Sequence, residues 1–156
     1  MPVNETTAIG ELRIEPIGET DPECVAALWR ACGLVVPHNP PLADIAFAAG
    51  RTGSDILLGF AGDELVASVM IGHDGHRGWL YYLAVAPNVQ RSGVGGRMVE
   101  AAEAWLRDHG VRKAQLMVRE SNAGVIGFYE RIGYERSPVV VMQRWLDRDD
   151  ASAPGP

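Results

Sequence analysis

Three glycines, Gly93, Gly95 and Gly96, stand where an apolar-periodic stretch that runs to Leu106 begins. Glycine weakens a helix unless the backbone must bend sharply or come close to another group. The unpaired N–H groups at a helix N-terminus attract anions, and glycine lets a phosphate approach them. Gln90 and Arg91 can add side-chain donors at the rim. The loop therefore predicts an anion-binding site, with phosphate groups as candidates.

Two familiar phosphate-binding motifs do not fit this loop. A Walker motif ends in Gly-Lys-Ser/Thr, whereas Gly96 is followed by Arg97 and Met98. A Rossmann fingerprint requires a glycine in place of Met98 and a shorter path from the preceding strand than the insertion PNVQRS allows. A plain glycine-rich loop is the alternative without a ligand.

The loop resembles the signature Q/R-x-x-G-x-G/A of the GNAT (GCN5-related) acetyltransferases, which Gln90–Gly95 match after the strand YYLAVAP. Asn122, Tyr129 and Gly133-Tyr134 resemble the family segment N-x-x-x-x-x-x-Y-x-x-x-G-F/Y. The stretches VPHNPPLADI and GHDGHRGWLYYLAVAP are similar to the bacterial YpeA-like subgroup. The resemblance covers roughly residues 11–146.

This resemblance implies acetyl-CoA as the acyl donor and assigns residues to it. The diphosphate would lie on the loop formed by Gln90, Arg91, Ser92, Gly93, Val94, Gly95 and Gly96. The strands that flank the loop would splay apart, and the pantetheine arm would pair with Leu83, Ala84 and Val85 in the gap. A main-chain N–H near Val85 would polarise the thioester carbonyl.

Two residues of the later segment have a role in the family and an ordinary alternative. Asn122 can contact the cofactor amide or simply cap the helix that follows. Tyr129 occupies the family's general-acid position, where a phenol can protonate the departing thiolate. The alternative for Tyr129 is core packing, because it shares a helical face with Val125, Ile126 and Ile132.

The general base is not evident, since the strand WLYYLAVA lacks the carboxylate that GNAT enzymes often carry there. Tyr81 is the nearest polar residue, on the face that strand alternation would share with Leu83 and Val85. His38, Asn39 and Asp44 could enter from the early loop and second helix, which resemble the family's acceptor wall. A water relay is a further alternative.

Two other groups of reactive residues have simpler explanations. His73-Asp74-Gly75-His76 is a thin metal-ligand set, whereas Asp-Gly is a tight-turn signal, so we predict a hairpin and no metal. Cys24 and Cys32 are eight residues apart in one predicted helix. Their separation of about 12 Å is too long for a disulfide, and we expect two reduced, mostly buried thiols.

Apolar periodicity and turn residues predict the elements that position these side chains. Strands are predicted at 11–17, around the turn Gly62-Asp63 within 54–72, at 79–86 in a central position, at 113–118 and at 137–146. Helices are predicted at 22–32, 42–49, 94–109 and 122–133. The order β-α-α-β-β-β-α-β-α-β predicts an α/β (α+β) fold with helices on both faces of a mixed sheet. The resemblance implies the GNAT acyl-CoA N-acyltransferase fold with six to seven strands.

Composition narrows the class of protein. The 156 residues suit one domain, which we place at 11–146, with polar, flexible ends at 1–10 and 147–156. The net charge of −6 and the lack of a basic stripe argue against a nucleic-acid partner. No apolar run has membrane-spanning length, and the N-terminus lacks a signal-peptide pattern, so we expect a cytoplasmic protein that does not bind membranes. The hairpin and late strands leave edges on which a homodimer could form.

The sequence thus predicts an N-acetyltransferase that moves an acetyl group from acetyl-CoA to a primary amine by direct attack in a ternary complex. The acceptor could be a small molecule or a peptide, and another acyl group could replace acetyl. The alternatives are a non-catalytic acyl-CoA-binding module and a protein-interaction module on the same fold.

Overall fold

The computed structural model describes residues 10–148, in two compact units of residues 10–118 and 119–148. The ends predicted to be flexible, 1–10 and 147–156, lie almost wholly outside the described residues. The single domain over residues 11–146 stays a prediction.

The first unit is built on a five-stranded sheet whose strands lie in chain order. The strands are β1 (Leu12–Pro16), β2 (Ser54–Ala61), β3 (Glu64–His73), β4 (Gly78–Val85) and β5 (Ala114–Gln115). The first four are antiparallel, and β5 is parallel to β4. The predicted turns at Gly62-Asp63 and Asp74-Gly75 are confirmed, and both glycines have the positive φ that a tight turn requires.

Two helices cover one face of this sheet: α1 (Pro22–Ala31) and α2 (Pro41–Ala48). The predicted start of α1 is confirmed, because the Asp21 side chain accepts a hydrogen bond from the Glu23 N–H. Trp29 and Ile45 pack with Ile56 of β2 in a buried core. The core is thus formed where the apolar faces of α1 and α2 meet β2.

The prediction of two mostly buried thiols is wrong for Cys24. Cys24 is exposed and Cys32 is half-buried. The buried face of α1 is formed instead by its apolar residues Val25, Ala26, Leu28 and Trp29.

The third helix, α3 (Val94–Asp108), lies on the opposite face of the sheet. Its buried residues are Val94, Met98, Val99, Ala102 and Leu106. A Cβ atom added to Gly78 would lie 2.7 Å from the Leu106 methyl groups, so the glycine allows α3 to approach β4 closely. The helix ends at His109 and Gly110, as predicted.

The late strands differ from the prediction. β5 has two residues rather than the predicted six, and residues 137–146 form no strand with any described part of the chain. The sheet therefore has five strands rather than six to seven. Valine-rich sequence favours a strand, but a strand forms only where a neighbouring backbone accepts its hydrogen bonds. The second unit contains one described helix, α4 (Ala123–Arg131).

Candidate active site

The predicted anion-binding loop leads directly into an N-terminus of α3 that no side chain caps. Gly93 is the N-cap residue, and the first turn of α3 contains no acidic residue. The leading N–H groups of α3 therefore lack a side-chain acceptor and carry the positive end of the helix dipole. This end of the helix can stabilise an anion.

The backbone of the loop is bent where glycine permits it and at one residue where glycine is absent. Gly93 has φ of 83° and Arg91 has φ of 65°, a left-handed conformation that costs a non-glycine residue about 1 kcal/mol or more. Gly96 does not have a left-handed φ, and a Cβ atom added to it would meet no atom within 4 Å apart from those of its chain neighbours and its own helix backbone. Neither packing nor backbone geometry requires glycine at this position. Its missing side chain keeps the space before the first turn of α3 open.

Next to this loop, β4 loses its partner on one side. The ladder between β4 and β5 consists of two pairs, Gly78 with Ala114 and Trp79 with Gln115. From Leu80 onward, no described strand pairs with that side of β4. The residues predicted to line a gap, Leu83–Val85, lie on this unpaired stretch. An extended ligand with amide groups can hydrogen bond to such an edge as an added strand would.

The Val85 carbonyl, at the end of β4, already accepts two side-chain hydrogen bonds. Gln90 Nε2 donates to it at 3.1 Å and Cys32 Sγ at 3.2 Å. Burial raises the pKa of the Cys32 thiol, which favours its protonated, donating form. Gln90, predicted to be a rim donor, thus bonds to β4 in this structure.

A β-bulge interrupts β4 within this unpaired stretch. Met70 of β3 pairs with Tyr81, and Ser68 pairs with Ala84, so β4 has one residue more than β3 between these pairs. Tyr82, within the bulge, has φ of 50°. The extra residue places Tyr81 on the same face as Ala84, whereas Leu83 and Val85 point the other way. The prediction that Tyr81 shares a face with Leu83 and Val85 is therefore wrong.

Four residues, here named the Tyr82 clamp, hold this bulge: Trp29, Asp44, Ser68 and Tyr82. The Tyr82 ring stacks on Trp29 with 3.9 Å between ring centroids, and its hydroxyl donates to Asp44 Oδ2 at 2.6 Å. Its carbonyl accepts from Ser68 Oγ at 3.3 Å, and Ser68 Oγ accepts from Trp29 Nε1 at 2.9 Å. Ring, hydroxyl and carbonyl of Tyr82 are thus each fixed by a different element.

Ser68 is the one polar side chain among the described residues that belongs to the buried class. Burying a hydroxyl is unfavourable unless both its donor and its acceptor sites are used, and here both are used within the clamp. Burial and the bond to Asp44 raise the pKa of Tyr82 far above its usual range, so its phenol stays protonated.

The four predicted acceptor-side residues separate into different surroundings. Asp44 belongs to the Tyr82 clamp. Tyr81 lies 41% exposed in a groove beside the C-terminal end of α2. His38 and Asn39 lie in the turn that joins α1 to α2, where Asn39 bridges to Val36, and neither lines that groove.

In the second unit, Asn122 performs the capping role that was one of its two predicted alternatives. Its side chain accepts from the Val125 N–H at 3.3 Å at the start of α4. Tyr129 is buried and makes edge contacts with Phe128 and Tyr134. Burial raises the pKa of Tyr129 to about 12, so its phenol keeps its proton at neutral pH.

The described residues contain no group of three or more ligands suited to a metal ion. In the segment His73–His76, Asp74 Oδ1 instead accepts the N–H groups of His76 and Arg77 and closes the hairpin turn. Among the helices of residues 10–148, none is long and apolar enough to cross a membrane.

The Tyr82 clamp and the bond from Cys32 to Val85 were not predicted from the sequence. The one local signal for the clamp is Ser68, a polar residue within the apolar stretch VASVMI. Its partners are 39 and 14 residues away in the chain, so spacing could not connect them.

Comparison with known proteins gives a consistent result. The profile of the acetyltransferase (GNAT) family matches residues 21–134. An acetyltransferase from Pectobacterium atrosepticum is 37% identical over 139 residues, which is 89% of this chain and 97% of the relative. The likeness to the YpeA-like subgroup stays a prediction.

Two solved structures share the fold at low sequence identity. Aminoglycoside N-acetyltransferase AAC(6')-Iy, in complex with CoA, matches with a TM-score of 0.76, 16% identity and coverage of 87% of this chain and 95% of that one. A GNAT family acetyltransferase from Elizabethkingia anophelis, with acetyl-CoA bound, matches with a TM-score of 0.66, 18% identity and coverage of 81% and 77%. With the family profile and the Pectobacterium relative, these matches show that the chain belongs to the GNAT family of acetyltransferases.

Proposed function

We propose that this protein transfers an acetyl group from acetyl-CoA to a primary amine by direct attack in a ternary complex. The observation that carries the proposal is the adjacency of two features in the first unit. An uncapped helix N-terminus follows a glycine-rich loop, and β4, which enters that loop, has an unpaired edge. One suits a diphosphate, and the other suits an amide-bearing chain.

We assign the donor site to both features. Gln90–Gly96 and the N-terminus of α3 would hold the diphosphate, and Leu83–Val85 would pair with the pantetheine arm. Arg91 supports this assignment because its exposed guanidinium forms no ion pair with a described residue. Gln90 Nε2 donates one of its two N–H groups to the Val85 carbonyl, which leaves the second N–H for a ligand. A contact from Asn122 would leave its capping oxygen in place and use its amide N–H₂.

Acetyl-CoA supplies a thioester, and two proton transfers must accompany the reaction: one to the departing thiolate and one from the amine. The amine nitrogen forms a bond to the acyl carbon, the carbon–sulfur bond breaks, and the thiolate needs a proton. We assign that proton to Tyr129, supported by the family segment in which it stands and by the pKa near 12 that keeps it protonated.

We assign the proton lost by the amine to Asp44, either through water or through the Tyr82 hydroxyl. The support is the 2.6 Å hydrogen bond by which Asp44 accepts from Tyr82. Tyr82 is the sequence neighbour of Tyr81 and Leu83. At this point β4 has its unpaired edge on one side and α1 and α2 on one face.

Thermal unfolding with and without acetyl-CoA tests the donor site, with ATP as the comparison ligand. At a ligand concentration a hundredfold above Kd, binding adds about 2.7 kcal/mol and should raise Tm by roughly 5–10 °C. We expect this rise with acetyl-CoA and not with ATP. No rise at saturating acetyl-CoA would overturn the proposal. A rise without turnover of any amine would favour the acyl-CoA-binding module.

Gly96→Ala sharpens this test. Replacing glycine by alanine inside a helix adds about 0.5–1 kcal/mol of stability, and the new methyl group meets no atom of the chain within 4 Å. The variant should therefore unfold at a higher temperature alone, yet show a smaller rise with acetyl-CoA. Glu100→Ala, one turn further along α3, should leave the rise unchanged. An undiminished rise for Gly96→Ala would contradict diphosphate binding at this loop.

A further inference from the structure

A groove of about 770 Å³ lies on the α1/α2 face of the first unit, between the end of α2 and the first half of β4. This volume falls within the range of small-molecule sites, about 300–1,000 Å³. The groove residues used here are Phe47, Arg51, Met70, Asp74, Trp79 and Tyr81. The groove is separate from the diphosphate loop and ends at Tyr81, which adjoins the bulge of β4.

Its walls are aromatic and open to solvent. Trp79 and Tyr81 are neighbours on one face of β4, with 6.5 Å between ring centroids and 23° between ring planes, and this aromatic pair is named the Trp79–Tyr81 shelf. Phe47, on α2, is 84% exposed. Solvent-exposed aromatic side chains that line one concave surface are typical of a binding site.

Among the described groove residues, Asp74 is the single carboxylate, and it lies next to Trp79. Asp74 Oδ1 is occupied by the N–H groups of His76 and Arg77, whereas Oδ2 accepts only a long bond of 3.4 Å from Trp79 Nε1. Backbone hydrogen bonds from Arg77 and His76 lower the pKa of Asp74, so the carboxylate is charged at neutral pH. Among the described groove residues, Arg51 is the single Lys or Arg, and it donates to the Ala46 carbonyl at 3.1 Å.

We infer that this groove selects acceptors whose primary amine is carried on a flat, mainly hydrocarbon body with a hydrogen-bond donor or a second cation at its far end. The inference rests on the proposed acetyl transfer and specifies its acceptor. The body would stack on the Trp79–Tyr81 shelf beneath Phe47, and the far donor would reach Asp74 Oδ2. The reactive amine would then lie at the Tyr81 end, beside the bulge of β4.

The same groove disfavours a polyhydroxylated polycation such as an aminoglycoside. Several amino groups need several acceptors, and the lining offers a single carboxylate together with the guanidinium of Arg51. The likeness of the fold to aminoglycoside acetyltransferases therefore does not extend to this acceptor class.

Four amines test the inference: n-propylamine, phenethylamine, tyramine and sisomicin. We expect kcat/KM to rise at least about tenfold from propylamine to phenethylamine, because stacking against aromatic rings adds of the order of one factor of ten in affinity. Tyramine, whose phenol can donate to Asp74, should be better again. Sisomicin should be the poorest acceptor.

Two variants test whether these substrate preferences arise in the groove. Phe47→Ala changes a side chain that is already exposed, and it should remove most of the advantage of phenethylamine over propylamine while leaving the KM for acetyl-CoA unchanged. Asp74→Asn keeps an oxygen for the turn and should remove only the advantage of tyramine over phenethylamine. Leu42→Ala, on α2 but outside the groove lining, is the matched control and should change neither preference.

A binding readout separates failure of the groove from failure of the reaction. In ¹⁵N-labelled protein, the indole N–H signal of Trp79, assigned with Trp79→Phe, should shift when phenethylamine is added. Equal kcat/KM for propylamine and phenethylamine without that shift would overturn the groove inference and leave acetyl transfer intact. The shift without turnover of any amine would support the groove and overturn the proposed reaction. A preference for sisomicin would overturn the acceptor class.

Discussion

The surroundings of Tyr129 keep its phenol protonated, as a proton donor to a thiolate must be before the transfer. It is buried, with 8% of its surface exposed, and burial raises its pKa to about 12. The phenol therefore stays protonated through about pH 9–10, the range in which a primary amine acceptor becomes partly neutral. A carboxylic acid with an ordinary pKa would already be ionised under those conditions. The same burial is what a purely structural tyrosine would show, so kinetics must separate the two roles.

We predict that Tyr129→Phe lowers kcat by about a hundredfold or more, within the range that general acid catalysis contributes. The KM values for amine and acetyl-CoA should change little, because the ring and its contacts with Phe128 and Tyr134 remain. Steady-state kinetics with phenethylamine gives both parameters. Since the donor titrates near pH 12, the wild-type kcat should show no decline on the basic side below about pH 10.

Unchanged kcat in Tyr129→Phe would show that Tyr129 is a packing residue. Phe128→Leu, which changes the neighbouring ring of α4, is the control for effects of packing alone.

The bulge of β4 depends on residues from three other elements. α1 contributes Trp29, α2 contributes Asp44, and β3 contributes Ser68. A non-glycine residue with a positive φ is unfavourable by itself, of the order of 1 kcal/mol or more, and persists where its surroundings fix it. The clamp supplies those surroundings on the unpaired stretch of β4, next to the groove lined by Trp79 and Tyr81.

We predict that Ser68→Ala lowers kcat by about tenfold or more, because small misplacements of reacting groups have large effects on rate. It should also lower the free energy of unfolding by about 1–3 kcal/mol, since the buried Trp29 N–H loses its acceptor. Kinetics and urea unfolding measure the two effects. Ile71→Val, on the other face of β3, should cost about 0.5–1.5 kcal/mol without a comparable loss of kcat.

A parallel loss of activity in Ile71→Val would mean that Ser68 acts through stability alone. Full activity of Ser68→Ala would show that the clamp does not position the site.

The elements that could be predicted from sequence are those whose signals are local. Asp21 before Pro22 marked the start of α1, Gly62-Asp63 and Asp74-Gly75 marked the hairpins, and the glycine loop marked the start of α3. These signals operate over a few residues, where sterics and capping decide the backbone.

The parts that sequence could not predict depend on distant partners. The valines of residues 139–141 favour a strand, yet the described chain provides no ladder for them. Strict alternation placed Tyr81 on the face of Leu83, and the bulge moved it to the face of Ala84. A bulge of this kind follows from contacts with Trp29, Asp44 and Ser68, which become neighbours only on folding. The candidate site could be proposed from sequence where it follows a motif, and the contacts that depend on packing could not.

Several tyrosines of this acidic protein keep their protons to unusually high pH, which couples its stability to pH. The pKa values of Tyr81, Tyr82 and Tyr129 are all raised, chiefly by burial. In the unfolded chain each would titrate near pH 10. Between pH 10 and the folded pKa, the unfolded chain has lost protons that the folded protein retains, so the free energy of unfolding falls as pH rises.

For Tyr129 the window runs from about pH 10 to about pH 12. Its contribution is fully present below pH 10 and declines by about 1.4 kcal/mol per pH unit within the window. We predict that Tyr129→Phe removes this part of the decline, so the difference in unfolding free energy between variant and wild type should shift in favour of the variant from pH 9 to pH 11.5. Urea unfolding across this range measures it. Parallel curves for the two proteins would mean that Tyr129 titrates as an exposed tyrosine does and that burial does not raise its pKa.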